Sequence, residues 1–118
     1  MFRRSARFVA VGLALLLCTS ASRAAAGGRA ARTYTVIIDA VKFQPDALTI
    51  KLGDSVVWMN KDLFPHTSTS KAGGWDSKPI DPGESFKFTP TKEGEFPYTC
   101  TLHTTMKGTL KVIKATDH

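Results

Sequence analysis

The sequence is poor in cysteine, in long apolar runs and in helical periodicity, and each shortage excludes something. Its two cysteines are Cys18 and Cys100. Cys18 lies in a segment expected to be removed on export, which leaves Cys100 alone in an oxidising setting where cysteines normally pair. The apolar run from Phe8 to Cys18 is shorter than the roughly 20 residues a spanning helix needs, so no stable membrane insertion is expected. No stretch supports a long amphipathic helix, and no internal repeat or low-complexity tract stands out. Past position 26 the lysines and arginines are scattered among acids rather than gathered in a stripe, which argues against nucleic acid binding.

What is present begins with an export pattern. Arg3, Arg4 and Arg7 precede the apolar run and small residues, "TSASRAAAGG", follow it, as in a signal peptide over residues 1–26. "AAA" at 24–26 supplies a small-x-small site, so cleavage is expected near Ala26 and the mature protein in the periplasm. Leu17 is bulky where lipoprotein signals have a small residue, which disfavours lipidation of Cys18. "FRRSARF" is only part of a twin-arginine signal, and the export route stays open. Removal takes four of the 16 basic residues and none of the ten acidic ones, so the formal charge falls from +6 to +2. Residues 27–32, "GGRAAR", then read as a flexible lead, 33–114 as one domain with a modest core, and 115–118 as a tail.

Within 33–114 the apolar period is two. Leu48, Ile50 and Leu52 alternate with polar residues, as do Phe86 and Phe88, and Leu110 and Val112. These are half-buried strands. "TYTVIID" at 33–39 and "SVVWMN" at 55–60 add β-branched and aromatic runs, and "LGD" at 52–54 and "DPG" at 81–83 are turn signals. Many short strands predict an all-β fold, an antiparallel sandwich or barrel. From Lys61 to Pro79 the periodicity lapses, predicting a long, partly irregular connection of the kind that carries function. Phe96, Tyr98 and Cys100 share one parity, which turns the Cys100 thiol inward with the two aromatics. Pro97 lacks an amide donor and predicts a bulge or an unpaired position in that strand. Trp58, Phe86, Phe88, Phe96 and Tyr98 are expected core aromatics, whereas Phe43 and Trp75 are not assigned by pattern.

"YTCTLHTTMKG" at 98–108 spaces Cys100, His103 and Met106 three residues apart, and a tight loop after a strand can fold them around one point. His66, in "LFPHTSTS" just beyond the strand ending at Asn60, is the fourth candidate. Singly, each has an ordinary explanation: a buried free cysteine, a core methionine, two loop histidines. Together, two imidazoles, a thiolate and a weak thioether are the donors of blue copper sites, where soft sulfur stabilises Cu(I) and imidazole suits both oxidation states. A frame holding a compromise geometry rearranges little on electron transfer.

"WMNKDLFPH" at 58–66 followed by "GEFPYTCTLHTTMKGTLKV" at 94–112 resembles the cupredoxins of the plastocyanin, pseudoazurin and amicyanin group, and "DPGESFKF" at 81–88 resembles the turn and strand before their ligand hairpin. The resemblance implies a Greek-key sandwich of about eight strands, one type 1 copper held by His66, Cys100, His103 and Met106 near one end, and a ring edge of His103 near solvent where electrons pass. Gly108 is carried over with the same motif. Two positions depart from many relatives: Thr67 stands where an Asn ties the two ligand loops together, and "TLHTT" lacks a loop proline. Whether Thr67 replaces that tie is left open by the sequence.

The expected function is a soluble periplasmic one-electron carrier with no bond chemistry of its own, and a monomer. Its redox partners would be a cytochrome, dehydrogenase or reductase docking near His103, Leu102 and Phe64, with Phe64, Pro65 and Leu102 as an apolar collar or mere packing. The alternative is copper storage or delivery by the same ligands, but delivery sites favour open methionine-rich or paired-cysteine arrangements. A Cys–His enzyme would need an accessible Cys100, against the inward parity. Zinc would leave Met106 an odd fourth ligand.

Overall fold

The computed structural model describes residues 29–116. The signal peptide read over 1–26, positions 27 and 28 of the lead and the last two residues of the tail lie outside the described residues.

Among the described residues there are nine strands and no helix. The two β-branched runs become β1 (Thr33–Asp39) and β4 (Ser55–Asn60), and the alternating segments become β3 (Ala47–Lys51), β7 (Ser85–Phe88), β8 (Gly94–Thr99) and β9 (Lys107–Ile113). A short β2 (Lys42–Gln44) forms a hairpin with β1. The 61–79 connection is less irregular than its composition suggests, because it contributes β5 (Thr69–Ser70) and β6 (Trp75–Asp76). One sheet runs β2-β1-β4-β7 and the other β3-β9-β8-β5-β6.

The expected all-β sandwich is present, with mixed rather than wholly antiparallel pairing: β1 lies parallel to β4, and β3 parallel to β9. The reason is the crossover. After β2 the chain leaves the first sheet, runs β3 in the second, and returns as β4 beside β1 in the same direction, a parallel pairing that a tight hairpin could not make and a crossover can. The "LGD" turn closes with the Asp54 amide donating to the Lys51 carbonyl at 2.9 Å, and Gly53 takes φ 96° there, a left-handed conformation that side chains resist.

The core is aromatic at its centre. Trp58 is fully buried and lies 5.4 Å from Tyr98 and 5.8 Å from Trp75, ring centroid to centroid; Phe43 meets Tyr98 edge-on at 4.7 Å. Phe43 and Trp75, unassigned by pattern, are therefore core residues, whereas Phe86 and Phe88 are only half-buried against it. Burial pushes the Tyr98 phenol up to about 12, so it stays neutral.

Of the two outcomes expected at Pro97, a bulge or an unpaired position, the structure has the second. Register runs unbroken from Gly94–Val112 to Thr99–Lys107. The Pro97 carbonyl accepts a 2.7 Å hydrogen bond from Ser70 Oγ, which places both backbone polar positions of residue 97 on the β5 side. The missing amide thus faces a two-residue strand and costs the β8–β9 ladder nothing.

Beside the first turn, the buried Asp54 carboxylate ties the lead to the sandwich. It accepts from Arg29 Nη2 at 2.6 Å, the Arg32 amide at 2.9 Å and the Lys51 amide at 3.0 Å. Burial alone would raise this carboxyl; the Arg29 bond and the two amides outweigh it and bring it from 3.8 down to about 2. Because the folded value is the lower one, the stabilisation is complete above about 3.8 and is lost as pH falls toward about 2. Asp54→Ala is expected to cost about 1–3 kcal/mol near neutral pH, by leaving amides without an acceptor. Urea titrations at descending pH should show the gap between the two proteins closing only over that acid window.

Candidate metal centre

The two chain segments that carry the candidate ligands leave β4 and β8. Asn60, the last residue of β4, is fully buried and organises the first segment. Its Nδ2 donates to the carbonyls of Phe64 at 2.7 Å and Ile80 at 2.8 Å, while its Oδ1 accepts from the Asp62 amide at 2.9 Å. The segment is then pinned by a two-way backbone bridge, in which His66 N–H donates to Ile80 O at 3.2 Å and Ile80 N–H to His66 O at 2.7 Å. A fully buried imidazole results, and its Nε2 lies 2.9 Å from Asp62 Oδ2. An Nε2–H donated to that carboxylate leaves Nδ1 as the free lone pair. The His66 ring first, and then the Leu63 and Val41 amides, hold the Asp62 carboxyl below the usual carboxylate range.

The second segment follows from strand parity. Phe96, Tyr98 and Cys100 all point inward, as alternation predicts, and Cys100 is fully buried. Its Sγ accepts the Thr67 amide at 3.3 Å and lies 3.7 Å from His66 Nδ1, across 34 residues of sequence. Past β8 the chain closes a compact loop: Met106 N–H donates to His103 O at 2.9 Å, and Cys100 N–H to Met106 O at 3.2 Å. Met106 is buried, and the half-buried His103 ring stands 4.7 Å from the His66 ring.

Ligand atoms of His66, Cys100 and His103 lie within 4.8 Å of one another. His103 Nδ1 is buried and has no hydrogen-bond partner. An orphaned nitrogen of that kind costs about 1–3 kcal/mol unless something else occupies its lone pair. Two imidazole nitrogens and a sulfur that accepts an N–H donor suit a soft or borderline metal cation. The thioether of Met106, buried on the same closed loop, could add a fourth donor, and the set would then fit copper better than zinc.

Two supports were not foreseen. Asp62, four residues before His66, has no sequence signal of its own, because an acid in a polar loop is ordinarily solvated. Thr67 answers the question its sequence left open. Its hydroxyl accepts the Thr101 amide at 2.9 Å and lies 3.2 Å from Thr101 Oγ1, so it links the two ligand segments itself. Around this end Phe64 and Leu102 are about half exposed, and Leu63, not singled out in the sequence, is 85% exposed. Phe64 also stands 6.5 Å from the His103 ring. The collar residues are therefore surface groups rather than packing for the core.

A Greek-key sandwich gathering two imidazoles, a thiol and a buried thioether between two strand exits defines a class, the small β-sandwich metalloproteins with a dehydrated, sulfur-containing centre. The chain belongs to the cupredoxin family: the family model for a cupredoxin-like domain matches residues 7–112, which includes part of the segment read as a signal peptide. Its relatives include an amicyanin from Paracoccus versutus, 30% identical over 95 residues that cover 76% of this chain and 72% of that one. A plastocyanin from Scenedesmus fuscus is 31% identical over 86 residues, covering 62% of this chain and 88% of that one. Among solved structures, an amicyanin variant in its Cu(I) form superposes with a TM-score of 0.64 at 25% identity, over 69% of this chain and 82% of that one.

Proposed function

We propose that this protein is a copper-dependent one-electron carrier whose ligands are His66, Cys100, His103 and Met106. The observation that carries the reading is the buried, unpartnered His103 Nδ1 beside the Cys100 sulfur and the His66 ring. Copper, when bound there, supplies a single reversible Cu(II)/Cu(I) couple. The chain's own residues do the rest. Asn60 and the His66–Ile80 bridge hold one imidazole, the closed loop from Cys100 to Met106 holds the other, and the Thr67 amide offers the sulfur a fixed dipole. A scaffold built this way, with Cys100 and His66 shut off from water, has little to rearrange when charge changes.

The same burial argues against the rivals. A nucleophilic cysteine needs substrate access, and a delivery site needs its metal within reach of an acceptor. Electron exchange needs only a ligand edge near the surface, which the partly exposed His103 offers. Leu63, Phe64 and Leu102 form the apolar rim on which a donor or acceptor protein docks. Residues 33–114 are the working domain, freed in the periplasm by cleavage near Ala26 and acting as a monomer.

The test is direct. Adding Cu(II) to the apoprotein should develop an intense visible band, saturating at one copper per chain, bleached by a mild reductant and restored by an oxidant; a colourless adduct or irreversible thiol oxidation defeats the proposal. Met106→Leu should keep the band while raising the reduction potential, because losing a weak thioether donor would disfavour Cu(II) more than Cu(I). Voltammetry of the two proteins side by side reads that shift.

A further inference from the structure

Asp62 does more than close a loop. Its Oδ2 lies 2.9 Å from His66 Nε2 and accepts from the Val41 amide at 3.0 Å, while Oδ1 accepts from the Leu63 amide at 2.9 Å. The carboxylate is 11% exposed, and the ring it faces is fully buried. The Val41 amide reaches it from the two-residue β1–β2 turn, where Ala40 and Val41 take φ of 50° and 59°. Such values are uncommon without glycine and strained for a β-branched residue, so the contact is held against local preference. A backbone carbonyl could have satisfied the imidazole N–H without placing a negative charge there.

We infer that Asp62 is a positioning residue of the copper centre: it sets the His66 tautomer, with Nδ1 free, and its charge favours the oxidised over the reduced metal. The inference rests on the copper reading above. A carboxylate behind a ligating imidazole fixes ring orientation and raises ligand basicity, and loss of such a partner costs about tenfold to a hundredfold in metal affinity. The more highly charged ion feels the lost anion more. Cu(II) binding should therefore weaken more than Cu(I) binding, and the potential should rise, by about 59 mV for each tenfold difference.

Nitrogen-15 NMR of the wild-type apoprotein should show His66 as the Nε2–H tautomer. An Nδ1–H tautomer overturns the inference whether or not copper binds. Asp62→Asn, which keeps shape and an acceptor but removes the charge, should lower Cu(II) affinity tenfold or more, shift the copper hyperfine splitting and raise the potential. An unchanged or lowered potential in the folded variant overturns it. Should Asp62→Asn fail to fold, Asp62→Glu and Asp62→Gln make the same comparison at equal length, and a Gln potential no higher than that of Glu counts against the charge. Failure of the wild-type protein to form a visible copper centre instead defeats the functional proposal, while the tautomer result still stands on its own.

Discussion

Cys100→Ser is expected to bind Cu(II) without the intense visible band and at least a hundredfold more weakly, beyond the tenfold to hundredfold that outer-shell partners cost. The colour arises from charge moving between a thiolate sulfur and the metal, and a serine hydroxyl supplies neither the soft orbital nor an accessible anion. The fold should survive. Serine is close to cysteine in shape, and its hydroxyl can still accept the Thr67 amide that Sγ accepts at 3.3 Å. Stability of the apoprotein should change by no more than about 1 kcal/mol, as judged by urea unfolding. Titration with Cu(II) monitored by absorbance and paramagnetic resonance separates the two effects. Retained blue colour would exclude the proposed site.

Gly108→Ala is expected to be the most damaging small substitution outside the ligands. Gly108 pairs directly with Tyr98 across β8 and β9, and the Tyr98 ring lies over its Cα, so that a Cβ would overlap the ring and hydroxyl. Tyr98 cannot swing away freely, because Phe43 at 4.7 Å and Trp58 at 5.4 Å confine it. Overpacking of this kind costs up to about 3 kcal/mol. The displacement would also be felt at Cys100, two residues along the same face of the chain, so copper affinity should fall with stability. Tyr98→Leu in the same molecule should recover part of the loss, giving a cost smaller than the sum of the two single changes. A Gly108→Ala protein within about 0.5 kcal/mol of wild type would show that the ring yields easily.

Gly108 also illustrates what pattern reading misses. The glycine was legible as part of a motif. Its backbone is ordinary, and what demands glycine is a ring from the neighbouring strand. At Pro97 the missing donor was visible, but not which side of the strand it would face, and that side is decided by where the short β5 lies. Trp75 and Phe43 carried no periodic signal because they sit in strands of two and three residues, too short for alternation to declare itself. The ligand candidates were legible because soft donors at fixed spacing behind an alternating strand are rare in combination. Asp62 was not, since one carboxylate in a loop is indistinguishable from a solvated one until its neighbours are known.

By itself the sequence determined the six longer strand-forming segments, the inward aim of Cys100 and the four residues that could share a metal. Those properties are local, set by side-chain parity and donor chemistry along the chain. Only the tertiary structure decided the mixed pairing of the sheets, the 3.7 Å approach of His66 to Cys100, the link through Thr67 and the carboxylate behind the buried imidazole. Each of these depends on segments far apart in sequence meeting across the sandwich, and crossover topology and packing, rather than periodicity, choose which segments meet.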